Sequence, residues 1–383
     1  MDTYPVYLWP KGALASAVNS DTLFGAVCWA IRILNLTDVE KLLADFDQHP
    51  RFAFSALWPV IQTQAEDGNA ARIRFYPRPL LPPLSPVQID ALTKEEIKRQ
   101  TNADHVTAKK DVIERAKRLK QKTLVSEQLF AEIVTGQTTM QGLFRRIKDC
   151  GSRAADVEPV GNALIGYAER RLVWQDGVLR PLSREEAVQH NQVDRVAGAT
   201  AEGLLFFEQE THFRVGSGLW CVLRADAQAV RECVLPAFRY LQDTGLGANR
   251  TVGKGHFRIE VGEPFELPQA DEADSFVALG HYLPRPNEWA ADASPLHYEL
   301  RNLWPKRESK FVHPTAGQRT APIRKRRMRM FAPGSIFPLQ TRQELYGQLA
   351  QAVLPEGEDH AVWQSGITVP VFARIATQQG GNV

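Results

Sequence analysis

At 383 residues, 44% hydrophobic and 23% charged, the chain has the length for two ordinary domains and a globular rather than a disordered composition. No run of eighteen apolar residues occurs, and Met1 is followed by an acidic residue and a proline-bearing strand, so neither a membrane span nor a signal peptide is expected; the expected location is cytoplasmic. Net charge is only +2, so a polyanionic partner would have to be met by local basic patches rather than a global field.

In chain order, "YPVYLWPKG" predicts an opening strand. "NSDTLFGAVCWAIRILN" predicts a helix with Ser20 or Asp21 as its N-cap and Leu23, Val27, Ala30 and Leu34 along one apolar face. From 37 to about 87 the pattern alternates short helical and proline-rich pieces, and "RFYPRPLLPPLSP" reads as extended, packed loop. Residues 94 to 124 are almost wholly polar: a solvated helix or loop, or else a basic arm facing RNA or a partner. "LVSEQLFAEIVTG" predicts an amphipathic helix closed by Gly136.

"HNQVDRVAGATAEGLLFFEQETHF" starts polar and ends in an aromatic, strand-like run. "GLWCVLRA" then predicts a strand, "AQAVRECVLPAFRYLQDTG" a helix and "HFRIEVGEPFEL" another strand. Taken together these give an α+β chain with a ferredoxin-like order over 1–265, interrupted by an insertion at about 37–190. After "PQADEADS" a smaller α+β unit, 266–383, is expected from further strands and one helix near "RQELYGQLAQAVL".

Between the helix and the strand, "TGLGANRTVGKGHF" (244–257) carries four glycines, an arginine and a lysine. A P-loop is excluded: Ala248 stands where its first glycine belongs, Gly255 replaces the magnesium-binding Ser/Thr, and the flanking order is reversed. A dinucleotide fingerprint would need glycine at Arg250. Gly245, Gly247, Gly253 and Gly255 permit positive φ and close approach of a partner, while amide N–H groups, Arg250 and Lys254 offer donors to phosphates. The competing reading is a helix C-cap at Gly245 followed by a flexible turn.

That loop resembles the signature of the RAMP proteins of CRISPR systems. "SDTLFGAVCWAI", "RFYPRPLLP", "HNQVDRVAGATAEGLLFFEQE" and "MRMFAPGSIF" narrow the resemblance to the type III-A (Csm) effector subunit that caps the 5′ end of the guide RNA. The resemblance implies two ferredoxin-like (RRM-like) domains and a non-catalytic subunit. Its implied partners are the 5′ tag of the crRNA, the large polymerase-like subunit and a backbone RAMP subunit, with no cofactor and no membrane.

Within this frame the glycines, Asn249, Arg250, Thr251 and Lys254 are RNA-binding candidates. His190 and Asn191 are candidates for base edges, and Arg195 for a phosphate, with Asp194 orienting it; a polar loop fixed by an Asp–Arg pair is the alternative. Ser20 and Thr22 sit where a helix N-terminus could meet phosphate, although Asp21 opposes this and favours capping. In "RKRRMRM" strand alternation would send Arg324 and Arg326 to one face and Lys325, Arg327 and Arg329 to the other, as a phosphate-facing surface or as an edge strand guarded by charge. The histidines show no HExxH or i, i+4 pair, and the four cysteines share no short spacing, which disfavours a metal site or a disulfide framework. The competing function is a metal-independent RNA-processing endoribonuclease with His256 as its general base.

Overall fold

Alternating side chains make β1 (Asp2–Pro10) a two-faced strand: Val6 and Leu8 enter the main core, while Tyr7 and Trp9 take the opposite face. The computed structural model describes residues 1–64, 70–99, 104–147, 156–173, 181–194, 199–289, 293–294, 296–306, 325, 327–352 and 362–375.

After β1 come α1 (Ser20–Ile33), α2 (Val39–Ala44), β2 (Phe52–Phe54), β3 (Trp58–Gln64) and β4 (Ala70–Pro77). The polar segment then forms α3 (Pro86–Arg99) and α4 (His105–Lys120), followed by β5 (Leu124–Ser126), α5 (Glu127–Val134) and α6 (Met140–Arg146). Next are β6 (Val157–Val160), β7 (Ala163–Gly166), α7 (Tyr167–Val173), and the long strands β8 (Ser183–Asp194) and β9 (Ala199–Phe213). β10 (Ser217–Ala225) leads to α8 (Ala227–Ala229) and α9 (Leu235–Thr244), and β11 (Phe257–Val261) follows the glycine loop. Between α8 and α9 one π-turn, Val230–Val234, carries an i→i−5 bond from the Leu235 N–H to the Val230 carbonyl. Pro236 follows directly and has no N–H to continue an i→i−4 ladder.

The main sheet runs β11-β1-β10-β3-β4-β5-β7-β6, and β2 also pairs with β10. β1 is antiparallel to both β10 and β11, and β10 is antiparallel to β3. By position, β1, α1, β2/β3, β10, α8/α9 and β11 follow the β-α-β-β-α-β order. The second strand of that unit is therefore 52–64, inside the stretch expected to be insertion. β8 and β9 form a separate two-stranded sheet, bridged to the chain between β1 and α1 by the Leu14–Thr211 pair. "RFYP" is strand rather than loop: Pro77 ends β4 opposite Leu124, where a missing N–H is tolerated.

The C-terminal part contributes β12 (Ser275–Ala278), β13 (Leu300–Leu303), β14 (Met328–Phe331), β15 (Ile336–Pro338), β16 (Leu349–Ala352), β17 (Val362–Ser365) and β18 (Pro370–Ala373). β12 is central in a three-stranded sheet with β15 and β18; β13–β14 and β16–β17 are hairpins. The helix expected near "RQELYGQLAQAVL" is absent among its described residues. Gly347 adopts φ 95° and donates to Glu288 Oε1 (2.9 Å), and the following residues extend into β16. Phe276, Tyr282, Phe337 and Tyr346 make a local aromatic core, whereas Val277, Leu279, Ile336, Val369 and Val371 join the same buried cluster as Leu23 and Val27 of α1. The two parts thus share one core.

Candidate nucleic-acid interface

The glycine loop is built by its backbone. Gly245 leaves α9 at φ 80°, ψ 170°, a region reserved for glycine, and turns Leu246 into the core. The Leu246 N–H donates to the Gly255 carbonyl (2.8 Å), and the Gly255 N–H to Ala13 O (2.9 Å). A Cβ on Gly255 would lie 1.9 Å from the Leu246 carbonyl oxygen, and one on Gly247 would lie 2.8 Å from Ser16 Oγ. That hydroxyl accepts from the Ala248 N–H at 3.0 Å. Asn249, at φ 58°, opens a short 3-10 turn over Arg250–Val252 that Gly253 closes at φ 86°.

Three of the four glycines are therefore required by protein-to-protein contact within the loop and against residues 13–16. Only around Gly253 is there open space, and Thr251, Val252 and Gly253 form the exposed tip. The expectation of a rim bared throughout for a partner is corrected accordingly.

The loop's polar side chains turn toward the β8–β9 hairpin. Lys254 Nζ donates to Glu210 Oε2 at 2.6 Å, and Asn249 Nδ2 donates to Glu208 Oε2. His256 donates from Nε2 to the Arg250 carbonyl (3.0 Å). The Lys254 ammonium, expected to face a phosphate, is thus committed to a carboxylate that is 1% exposed. The register sets Glu186 opposite Glu210, Val188 opposite Glu208 and His190 opposite Phe206. His190 Nε2 lies 3.6 Å from Glu208 and 3.9 Å from Glu210, and His212 Nε2 lies 3.3 Å from Glu186 and 3.6 Å from Glu210. The carboxylates of Glu186, Glu208 and Glu210 outnumber the Lys254 ammonium and the Arg184 guanidinium, itself 3.0 Å from Glu186, which makes this face of the hairpin unsuited to phosphate.

The opposite face differs. Alternation places Gln189 and Asn191 of β8 beside Leu205, Phe207 and Gln209 of β9, all exposed, with Phe207 63% exposed. On the carboxylate face, Phe206 is 49% exposed and stacks on His190 with centroids 5.4 Å apart and planes 16° from parallel. Neutral amides and aromatic rings suit base edges and base faces. The sequence reading named His190 and Asn191 but passed over Phe206, Phe207, Glu208 and Glu210. Their signal was the i, i+2 alternation in "FFEQE" opposite a basic loop.

Ser20 is no exposed phosphate seat, and Thr22 beside it is half-buried. Ser20 is buried, and its Oγ accepts from the His281 N–H at 3.0 Å. Asn19, not Ser20 or Asp21, holds the N-cap position, without a side-chain cap bond. The buried Asp21 carboxylate instead lies 3.1 Å from His281 Nδ1 and accepts from Gln364 Nε2, joining α1 to the C-terminal part. Arg195, Arg324 and Arg326 lie outside the described residues. Among the described residues no group of three or more His, Cys, Asp and Glu is arranged to hold a metal ion, and no helix is long and apolar enough to cross a membrane. Cys28, Cys221 and Cys233 are buried free thiols, and burial pushes Cys28 up to about 12.

No family model matches the chain. A curated CRISPR system protein named Csm4, from Thermococcus onnurineus (strain NA1), is 33% identical over 111 residues, 28% of this chain; the match spans 37% of the relative's length. Among solved structures, a chain of the Csm3–Csm4 subcomplex of the type III-A CRISPR-Cas interference complex matches with a TM-score of 0.60 at 14% identity, covering 97% of this chain and 99% of that one. A chain of the Csm1–Csm4 cassette in complex with pppApA matches with a TM-score of 0.53 at 18% identity, covering 99% of this chain and 100% of that one. Over 111 residues the chain is thus similar in sequence to a Csm4, and along nearly its whole length it has the fold of chains from the Csm3–Csm4 and Csm1–Csm4 complexes.

Proposed function

We propose that this chain is a non-catalytic, RNA-binding subunit of a type III-A effector. It holds the 5′ tag of the crRNA and docks the large polymerase-like subunit and a backbone RAMP subunit. In this reading 1–265 is a ferredoxin-like RAMP unit and 266–383 a C-terminal ferredoxin-like domain.

The observation that supports it most is the outer face of β8–β9. Phe207, Leu205, Asn191 and Gln189 offer stacking and amide contacts to splayed bases, while the glycine loop, with its exposed tip Thr251–Gly253, packs on the hairpin's other face. The partners follow from the complexes whose chains share this fold, one pairing Csm4 with Csm1 and one with Csm3.

The competing endoribonuclease reading would use His256 as base. Its Nε2 donates to the Arg250 carbonyl, so only Nδ1 keeps a lone pair to act as base. Purification of the tagged protein from cells carrying a CRISPR array tests the proposal. It predicts a guide RNA of one defined 5′ end together with a large polymerase-like protein, and no cleavage of repeat RNA by the isolated chain. Site-specific cleavage of repeat RNA that is lost in His256→Ala would reverse it.

A further inference from the structure

The hairpin β13–β14 projects from the C-terminal part with one face unlike the other. Phe331 anchors it: its N–H donates to the Tyr282 carbonyl (2.9 Å), the Tyr282 N–H returns to Phe331 O (3.0 Å), and Met330 is fully buried. The register sets Leu300 opposite Phe331 and Asn302 opposite Arg329, so these residues share a face, with Tyr298 and Trp304 continuing it by alternation.

Among the described residues this face is exposed and carries no carboxylate. Trp304 is 47% exposed, and the Arg327 guanidinium lies over its ring at 4.4 Å from the centroid. Tyr298 is 50% exposed and meets Phe331 edge-on at 5.0 Å. Arg329 is exposed and donates from Nε to Asn302 Oδ1 at 3.3 Å, which holds its guanidinium across the hairpin. The acid on β13's flank, Glu299, belongs to the alternate set of positions and is paired with Arg301 at 2.9 Å.

We propose that this face is a second seat for single-stranded RNA, distinct from the β8–β9 face, in which a base extends the Trp304–Arg327 stack. Tyr298 offers a second ring, and Arg329 a phosphate contact. Arginine stacked on an aromatic ring presents its outer plane to a base while its edge N–H groups remain donors. Charge chooses the partner: two exposed guanidiniums with no acid among the described residues of the face favour a polyanion over a protein surface of mixed charge.

The two seats are linked through the fold. Lys325, two residues before Arg327, donates from Nζ to the Trp363 carbonyl (2.8 Å) and Gln364 Oε1 (2.9 Å), and Gln364 donates to Asp21. From Asp21 to Ser16, which supports the glycine loop, is five residues, at most about 18 Å of chain.

The inference rests on the RNA-binding reading, and its test separates the two. Equilibrium binding of a fluorescent crRNA-length single strand to the full-length protein is measured against salt for wild type, Trp304→Ala, Arg327→Ala, Arg329→Ala and Phe207→Ala. Trp304→Ala is expected to weaken binding about tenfold, the loss of one stacked base, with the salt slope unchanged. Arg329→Ala is expected to lower the slope by about 0.7, one phosphate contact on a single strand. Thermal midpoints should stay within error, because these side chains are exposed.

Wild-type binding that falls in Phe207→Ala but not in the hairpin variants overturns the second seat alone. Absence of wild-type binding overturns both seats. Hairpin variants that bind RNA normally yet fail to co-purify with the large subunit would show a protein-docking face and also overturn the proposal.

Discussion

Lys254 Nζ lies 2.6 Å from Oε2 of Glu210, a carboxylate 1% exposed, so the ammonium of the glycine loop is the counter-charge of the β8–β9 hairpin. Removing one partner of a buried pair leaves an uncompensated charge, at a cost of about 3–5 kcal/mol. Lys254→Met should therefore lower the unfolding midpoint strongly, and adding Glu210→Met should restore most of the loss. A Lys254→Met protein of unchanged stability but abolished RNA binding would show that the ammonium serves the ligand instead.

Gly255 is held at φ 67°, where its Cβ would strike the Leu246 carbonyl at 1.9 Å. Gly255→Ala is expected to cost at least about 2 kcal/mol, from left-handed strain plus backbone displacement. Gly253 has comparable φ but open space, and Asn tolerates that conformation, so Gly253→Asn should cost under about 1 kcal/mol. Chemical denaturation of the two variants checks the contrast.

Glu169, at the start of α7, accepts from the Gln128 N–H at 3.0 Å, and burial raises its carboxyl above the ordinary glutamate value. A raised folded value means that the folded chain holds the proton more tightly than the unfolded one. Its contribution to stability is fully present below about pH 4.5 and is lost as pH rises through the folded value. Glu169→Gln should remove this part of the pH dependence and be neutral or stabilising at pH 7. Unfolding titrations of both proteins between pH 4 and 8 measure the difference.

Asp21 meets His281 and Gln364 in the core, and Ser20 caps the His281 N–H. Asp21→Ala orphans two buried partners, for a loss of about 2–3 kcal/mol, and should loosen the C-terminal part first. Hydrogen exchange should show β17 and β18 losing protection ahead of β1. If instead RNA affinity falls with no change in exchange, Asp21 and Ser20 act at a ligand.

Much of the central unit was legible. Short apolar and aromatic runs bounded by turn residues marked β1, β10 and β11, and the 3.6-residue stripe of Leu23, Val27 and Ala30 marked α1. What hid the second strand was its brevity: Phe52–Phe54 and Trp58–Gln64 are separate short runs amid proline and glycine, and only pairing to β10 makes them one edge. The helix expected near 342–354 had a suitable apolar pattern, but Gly347 is needed at positive φ beside the Gly366 carbonyl, and tertiary pairing with β17 overrode propensity.

The glycine loop was found for the right residues and misread in purpose. Positive φ and close approach were correctly inferred, but the approaching groups are Leu246, Ser16 and Ala13 of the same chain. Glycine spacing records that something comes close and not what it is. The carboxylates that claim Lys254 and Asn249 lie about forty residues away in sequence, beyond any local pattern.

The central claim is tested most directly by photo-crosslinking. Complex purified with its own RNA, carrying 4-thiouridine in the guide, is irradiated, and crosslinked peptides are mapped. The account predicts adducts from the 5′ tag on residues 205–209 and 250–253. Adducts confined to other surfaces, with 205–209 covered by a neighbouring subunit, would contradict it.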